Sequence, residues 1–142
     1  MKVILVAHGK FATELHNSLQ MIVGEVSHFF PVNFYPDDGP DQLRERIETV
    51  LEINSGEQYI VFTDLYGGTP FNVSSRMAAE DSNISVVSGM NLPMLLELAF
   101  SVEASREELV EQAMNNAREG VKLFEYVAPS HEESADSEED EF

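Results

Sequence analysis

Cysteine is absent from the 142 residues, which excludes disulfides, thiolate nucleophiles and cysteine-ligated zinc. Basic residues are scarce: eight Lys and Arg stand against 26 Asp and Glu, for a formal net charge of −18. Phosphate backbones repel such a surface, so nucleic acid is not an expected partner. Seven of the acids (Glu132, Glu133, Asp136, Glu138, Glu139, Asp140 and Glu141) fall between Ser130 and Phe142, with no base among them. Without them 19 acids still face eight bases, a balance of −11, so the acidity is not confined to the tail. Long hydrophobic runs are also missing. None approaches the roughly 20 residues that span a bilayer, and no basic segment precedes a long apolar one at the start. A cytoplasmic location is expected. The length and the 43% hydrophobic content suit one globular domain with a sizeable core. We expect that domain over residues 1–128, and a solvated, disordered acidic tail over 129–142.

What is present alternates between strand and helix patterns. Lys2 to Ala7 is an apolar run ending at His8-Gly9, and Phe11, Leu15, Leu19 and Ile22 then recur at helical spacing until Gly24. Phe29 to Tyr35 reads as a second strand. Pro31 lies inside it and cannot donate to a ladder, which puts this strand at a sheet edge. Pro36 to Pro40 turns into a helix with Leu43, Ile47, Val50 and Leu51 on one face. A third strand, Tyr59 to Thr63, leads through a glycine loop to a helix reaching Met77, and Ile84 to Val87 is a fourth. An apolar helix is expected from Met94 to Phe100, and another opening on the capping box Ser105-Arg106-Glu107-Glu108. That last helix should bury Leu109, Ala113, Met114 and Ala117 and stop at Gly120, before a final strand, Val121 to Val127. Such alternation means α/β with a mainly parallel sheet.

The chemistry gathers at two strand ends. Thr63-Asp64-Leu65-Tyr66-Gly67-Gly68-Thr69-Pro70-Phe71-Asn72 places an acid after a buried strand, then two glycines, then a Thr-Pro pair opening a helix. Thr69 suits the N-cap and Pro70 the first turn. A helix N-terminus behind a glycine loop offers free amides and a positive dipole end, and so suits an anion. His8 ends the first strand at the same edge of the sheet, where open α/β sheets bind ligands, and Gly9 leaves the approach clear. Asp64 could merely cap a turn. In the functional reading it accepts a hydrogen bond from one ring nitrogen of His8, fixes the tautomer and leaves the other nitrogen as nucleophile. The bland reading holds for the other histidines: His16 lies beside an apolar stripe, His28 before a strand and His131 in the tail. A histidine, an acid and a phosphate cradle together point to phosphoryl chemistry.

Four segments carry a family likeness. Val6-Ala7-His8-Gly9, Asp64 to Asn72 with Ser75-Arg76, Gly89-Met90-Asn91-Leu92-Pro93-Met94-Leu95, and Arg118-Glu119-Gly120-Val121 resemble the IIA component of the mannose family of the bacterial sugar phosphotransferase system. The likeness runs from about Met1 to Val127, and its specificity lies in all four segments occurring in order. It implies a sheet ordered 2-1-3-4 with a C-terminal antiparallel edge strand, and a homodimer in which that strand takes part. It also implies a phosphotransferase working through a phosphohistidine: His8 as acceptor, Asp64 as its support, and Gly9, Gly67, Gly68 and Thr69 around the phosphate, with neither metal nor cofactor. The donor would be phospho-HPr. The recipient would be a IIB protein, expected here as a separate polypeptide because the chain ends in acids, and a IIC/IID membrane complex would follow. The sugar is not legible, because a IIA protein never touches it.

Rival readings lack residues they need. A receiver domain requires an acidic pair after strand one, where Ala7-His8-Gly9 stands, and a P-loop enzyme requires a Gly-x-x-x-x-Gly-Lys-Ser/Thr motif that is absent. The phosphotransfer subunit of a dihydroxyacetone kinase ranks second, since the loop and the Asn91-Leu92-Pro93 segment resemble the sugar system more closely. A phosphorylation-dependent regulatory module is the third alternative.

Overall fold

The computed structural model describes residues 1–101 and 103–130. Four strands, β1 (Lys2–His8), β2 (Phe29–Phe34), β3 (Tyr59–Thr63) and β4 (Ile84–Val87), form one sheet in the order β2-β1-β3-β4, with every pairing parallel. The order matches the expectation, and β2 with its Pro31 lies at an edge. Helices cover both faces, as a parallel sheet demands. On one face Val3, Leu5, Ile60 and Phe62 pack against α1 (Phe11–Val23), α4 (Leu92–Leu96) and α5 (Arg106–Glu119). On the other, Ile4, Val6, Val61 and Val32 pack against α2 (Pro40–Ile53) and α3 (Thr69–Glu80). The central strands therefore read as continuous apolar runs because both of their faces are buried.

Capping explains some of the helix ends. Gly24 closes α1 with a left-handed φ of 86°. Ser105 accepts from the Glu108 amide while the Glu108 side chain returns to the Ser105 amide, so the expected capping box opens α5. The apolar helix expected from Met94 to Phe100 is shorter. It becomes α4 and a 3₁₀ turn, Glu97–Ala99, and leaves Phe100 exposed.

The C-terminal antiparallel edge strand is not formed within this chain. Residues 121–130 have no regular structure, and Val121, Leu123, Phe124, Tyr126 and Val127 are all exposed. A strand exists only through a neighbour's ladder, and among the described residues nothing pairs with the outer edge of β4. The acidic tail beyond Ser130 lies outside the described residues. Among those described, no helix is long and apolar enough to cross a membrane.

Candidate functional site

β1 ends at His8 and β3 at Thr63, one residue before Asp64, so parallel neighbours bring both side chains to the same edge. This is the point where the chain order reverses direction, between β1 and its two neighbours. His8 Nδ1 lies 2.7 Å from Asp64 Oδ2, and the His8 backbone N–H donates to the same oxygen at 3.0 Å. A carboxylate only accepts, so Nδ1 carries the proton and the Nε2 lone pair is left open. The histidine side chain is 49% exposed and the aspartate 18%. Asp64 Oδ1 is buried and has no partner among the described residues. The imidazole thus faces outward on a less exposed carboxylate, whose bonds come from the His8 ring and backbone.

Two further groups bracket the ring. Phe34, the last residue of β2, meets it edge-on with centroids 5.7 Å apart. Gly68 lies so close that a β-carbon there would sit 3.1 Å from His8 Cε1 and 3.3 Å from Leu65 O. Gly9 and Gly67 adopt left-handed φ values of 59° and 83°, which side chains rarely tolerate. Asn72 donates to Gly67 O and fixes the loop from the first turn of α3.

The expected phosphate cradle changes in detail. Gly68, not Thr69, is the N-cap of α3, and Thr69 is its first helical residue with no side-chain cap. An N-cap needs only extended backbone, which Gly68 supplies at φ −73°, ψ 169°. The Gly9 amide donates to Phe34 O and the Gly68 amide to Leu65 O. These two glycines therefore give room rather than hydrogen bonds. The amides of Thr69 and Phe71 have no helical partner, and Pro70 has no N–H to leave unsatisfied.

Phe34 was invisible to motif reasoning. Its signal was the strand order itself, because His8 is in register with Phe34. Two of the expected bystanders stay apart from the site: His16 is half-buried on α1, and His28 Nε2 bonds to Leu98 O, while His131 lies outside the described residues. A cleft of about 580 Å³ lies not at His8 but along β4, between Tyr66, Phe71, Val86, Met114 and Val121. Among the described residues no cluster of three or more His, Asp or Glu could hold a metal ion.

Comparison with known proteins places this arrangement. Residues 2–114 match the EIIA-man family, described as PTS system fructose IIA component. This chain belongs to that family. It is 36% identical over 115 residues to the PTS system sorbose-specific EIIA component of Lacticaseibacillus casei, spanning 80% of this chain and 83% of that one. It is 32% identical over 148 residues to the PTS system fructose-specific EIIA component of Bacillus subtilis (strain 168), spanning 99% of each. The mannose/sorbose specific IIA subunit of a phosphotransferase system from Enterococcus faecalis superposes with a TM-score of 0.85 at 30% identity, over 91% of this chain and 98% of that one. As an EIIA component of a sugar phosphotransferase system, the chain has phosphotransfer as its general role.

Proposed function

We propose that this EIIA chain carries a phosphoryl group on His8 Nε2, taking it from phospho-HPr and giving it to a IIB partner. The observation that carries the reading is the Nδ1–Asp64 hydrogen bond, which leaves a single ring nitrogen open on an exposed face. In the first step Nε2 attacks phosphorus, an N–P bond forms, and the N–P bond of the donor histidine breaks with its electron pair returning to that ring. The second step reverses these roles toward IIB. Asp64 orients the ring and offsets the positive charge on phosphorylated imidazole, while the dipole and free amides of α3 face the phosphoryl oxygens. Exposure of His8 suits transfer between proteins, and exposed Leu65 and Tyr66 offer apolar contact beside it. Relatives named for sorbose, fructose and mannose support sugar uptake as the purpose, without choosing a sugar for this chain.

The homodimer belongs to the same proposal. The cleft along the free edge of β4 is lined by Val86, Val87, Val110 and Met114. The exposed 121–127 segment offers Leu123, Phe124, Tyr126 and Val127 in chain that has no regular structure of its own. A partner's segment would complete both the ladder and the apolar burial.

Incubation with phosphoenolpyruvate, enzyme I and HPr tests the carrier. The parent and His16→Ala should take up acid-labile, base-stable phosphate, and His8→Ala should take up none. Asp64→Asn should stay folded yet transfer about a hundredfold more slowly, the scale of a lost orienting and charge-compensating group. Full labelling of His8→Ala would overturn the assignment, and unchanged rates for Asp64→Asn would remove Asp64 from it.

A further inference from the structure

We propose that Asn33, on β2, is a positioning residue for phosphoryl transfer, acting on His8 through the first turn of α1. The proposal rests on His8 being the acceptor. α1 starts three residues after His8, with Lys10 as its N-cap. Lysine offers no side-chain acceptor, so the amides of Phe11, Ala12 and Thr13 have no partner within the helix. The missing cap comes from the neighbouring strand. Asn33 Oδ1 accepts from the Thr13 amide at 3.3 Å, and Asn33 Nδ2 donates to Thr13 Oγ1 at 2.8 Å and to the Tyr35 hydroxyl at 3.1 Å. This pattern fixes which way the amide faces, since turning it over would aim its NH₂ at the Thr13 N–H.

Asn33 is itself held. Its carbonyl accepts from Arg46 Nη1 at 3.1 Å, and Arg46 pairs with Asp38, which in turn accepts from the Tyr35 amide. The next residue, Phe34, accepts from the Gly9 amide at 2.7 Å and rests its ring edge-on to the imidazole. The last two residues of β2 therefore grip the chain from Gly9 to Thr13, while Asp64 grips His8 from β3. At Gly9 the chain makes a left-handed turn that has no side chain to anchor it and is held by its amide's bond to Phe34 O. Releasing Thr13 lets that turn shift and re-aims Nε2 relative to the amides of α3. Transfer geometry is sensitive to such displacements, about a hundredfold in rate for 1 Å.

The test is quench-flow transfer from phospho-HPr to the full chain, with Tm and ¹⁵N NMR of the His8 ring on each variant. Asn33→Ala should lower the rate at saturating donor by roughly tenfold to a hundredfold, leave KM within about twofold, and shift the His8 nitrogen resonances. Thr13→Ala keeps the backbone bond but loses the hydroxyl, and should move rate and resonances the same way by less. Val50→Ala, on α2 and partly buried against the core, supplies a destabilised control that keeps both. The proposal is overturned if Asn33→Ala lowers Tm with rate and resonances unchanged, or raises KM alone, which would make it a donor contact. Should Asn33→Ala not fold, Thr13→Ala decides on the same readings. Labelling that persists in His8→Ala would instead sink the acceptor assignment.

Discussion

His16 is the imidazole whose charged form burial disfavours. Its Nε2 is buried without a partner among the described residues, and its ring stacks on Phe29 at 6.4 Å. Burial holds its pKa below the usual 6.5, against an opposing contribution from a hydrogen bond to the Val26 backbone. The unfolded chain therefore binds this proton first, so the contribution to stability is complete above pH 6.5 and declines as pH falls toward the lowered folded value. The carboxylates held low by ion pairs, Asp38, Glu57 and Glu80, lose theirs only at more acid pH. Urea midpoints should thus fall between pH 7.5 and 5.5 in the parent and change less in His16→Gln. An equal slope in both would show that this imidazole does not govern the window. At the same scale, His8 and Asp64 were legible because each ends a run of apolar residues, where the parallel sheet itself makes the edge. Asn33 and Phe34 were not, because their meeting with α1 and His8 depends on which strand neighbours β1. The cap of α3 was misplaced by one residue for a simpler reason: glycine and threonine adopt the same extended backbone there, and no side-chain bond distinguishes them.

Gly120 shows how an element can end where expected for another reason. A helix-stopping glycine ordinarily works by a left-handed backbone, yet Gly120 sits at φ −72°, ψ −13°, within reach of any residue. What it provides is room. A β-carbon here would lie 2.8 Å from Pro93 Cβ and closer still to Cγ, where the ring that opens α4 crosses the end of α5. Alanine in a helical backbone would otherwise gain about 1 kcal/mol over glycine. Overpacking against a rigid ring costs about 1–3 kcal/mol, so Gly120→Ala should lower Tm by a few degrees in thermal unfolding. A variant as stable as the parent would mean that Pro93 yields. The strand expected after Gly120 illustrates the opposite limit. Its β-forming residues were read correctly as apolar, but among the described residues the ladder they need is not formed.

For the whole molecule, leaving those side chains in water is costly: each large aliphatic or aromatic group forgoes about 1.5–3 kcal/mol of burial. If a second copy covers them, truncation after Gly120 should yield monomer or aggregate by light scattering, while truncation after Pro129 should leave the dimer intact. A Gly120 truncation that stays dimeric would remove the segment from the interface.

The two borders of the sheet differ in valence. On β2, Val3 N–H reaches His28 O and Gly9 N–H reaches Phe34 O, so alternation turns the backbone of Phe29, Pro31 and Asn33 outward. Of these, Pro31 has no hydrogen to give, and the Asn33 carbonyl is already taken by Arg46. Two of the outward-facing backbone groups on that border are thus withdrawn from any further strand, a device natural sheets use at exposed margins. Among the described residues β4, by contrast, has an outer edge that carries no proline and pairs with nothing. Should two copies exchange their 121–127 segments reciprocally, as in the proposed dimer, both β4 borders are filled at two copies, whereas one-way donation leaves a border open and extends copy by copy.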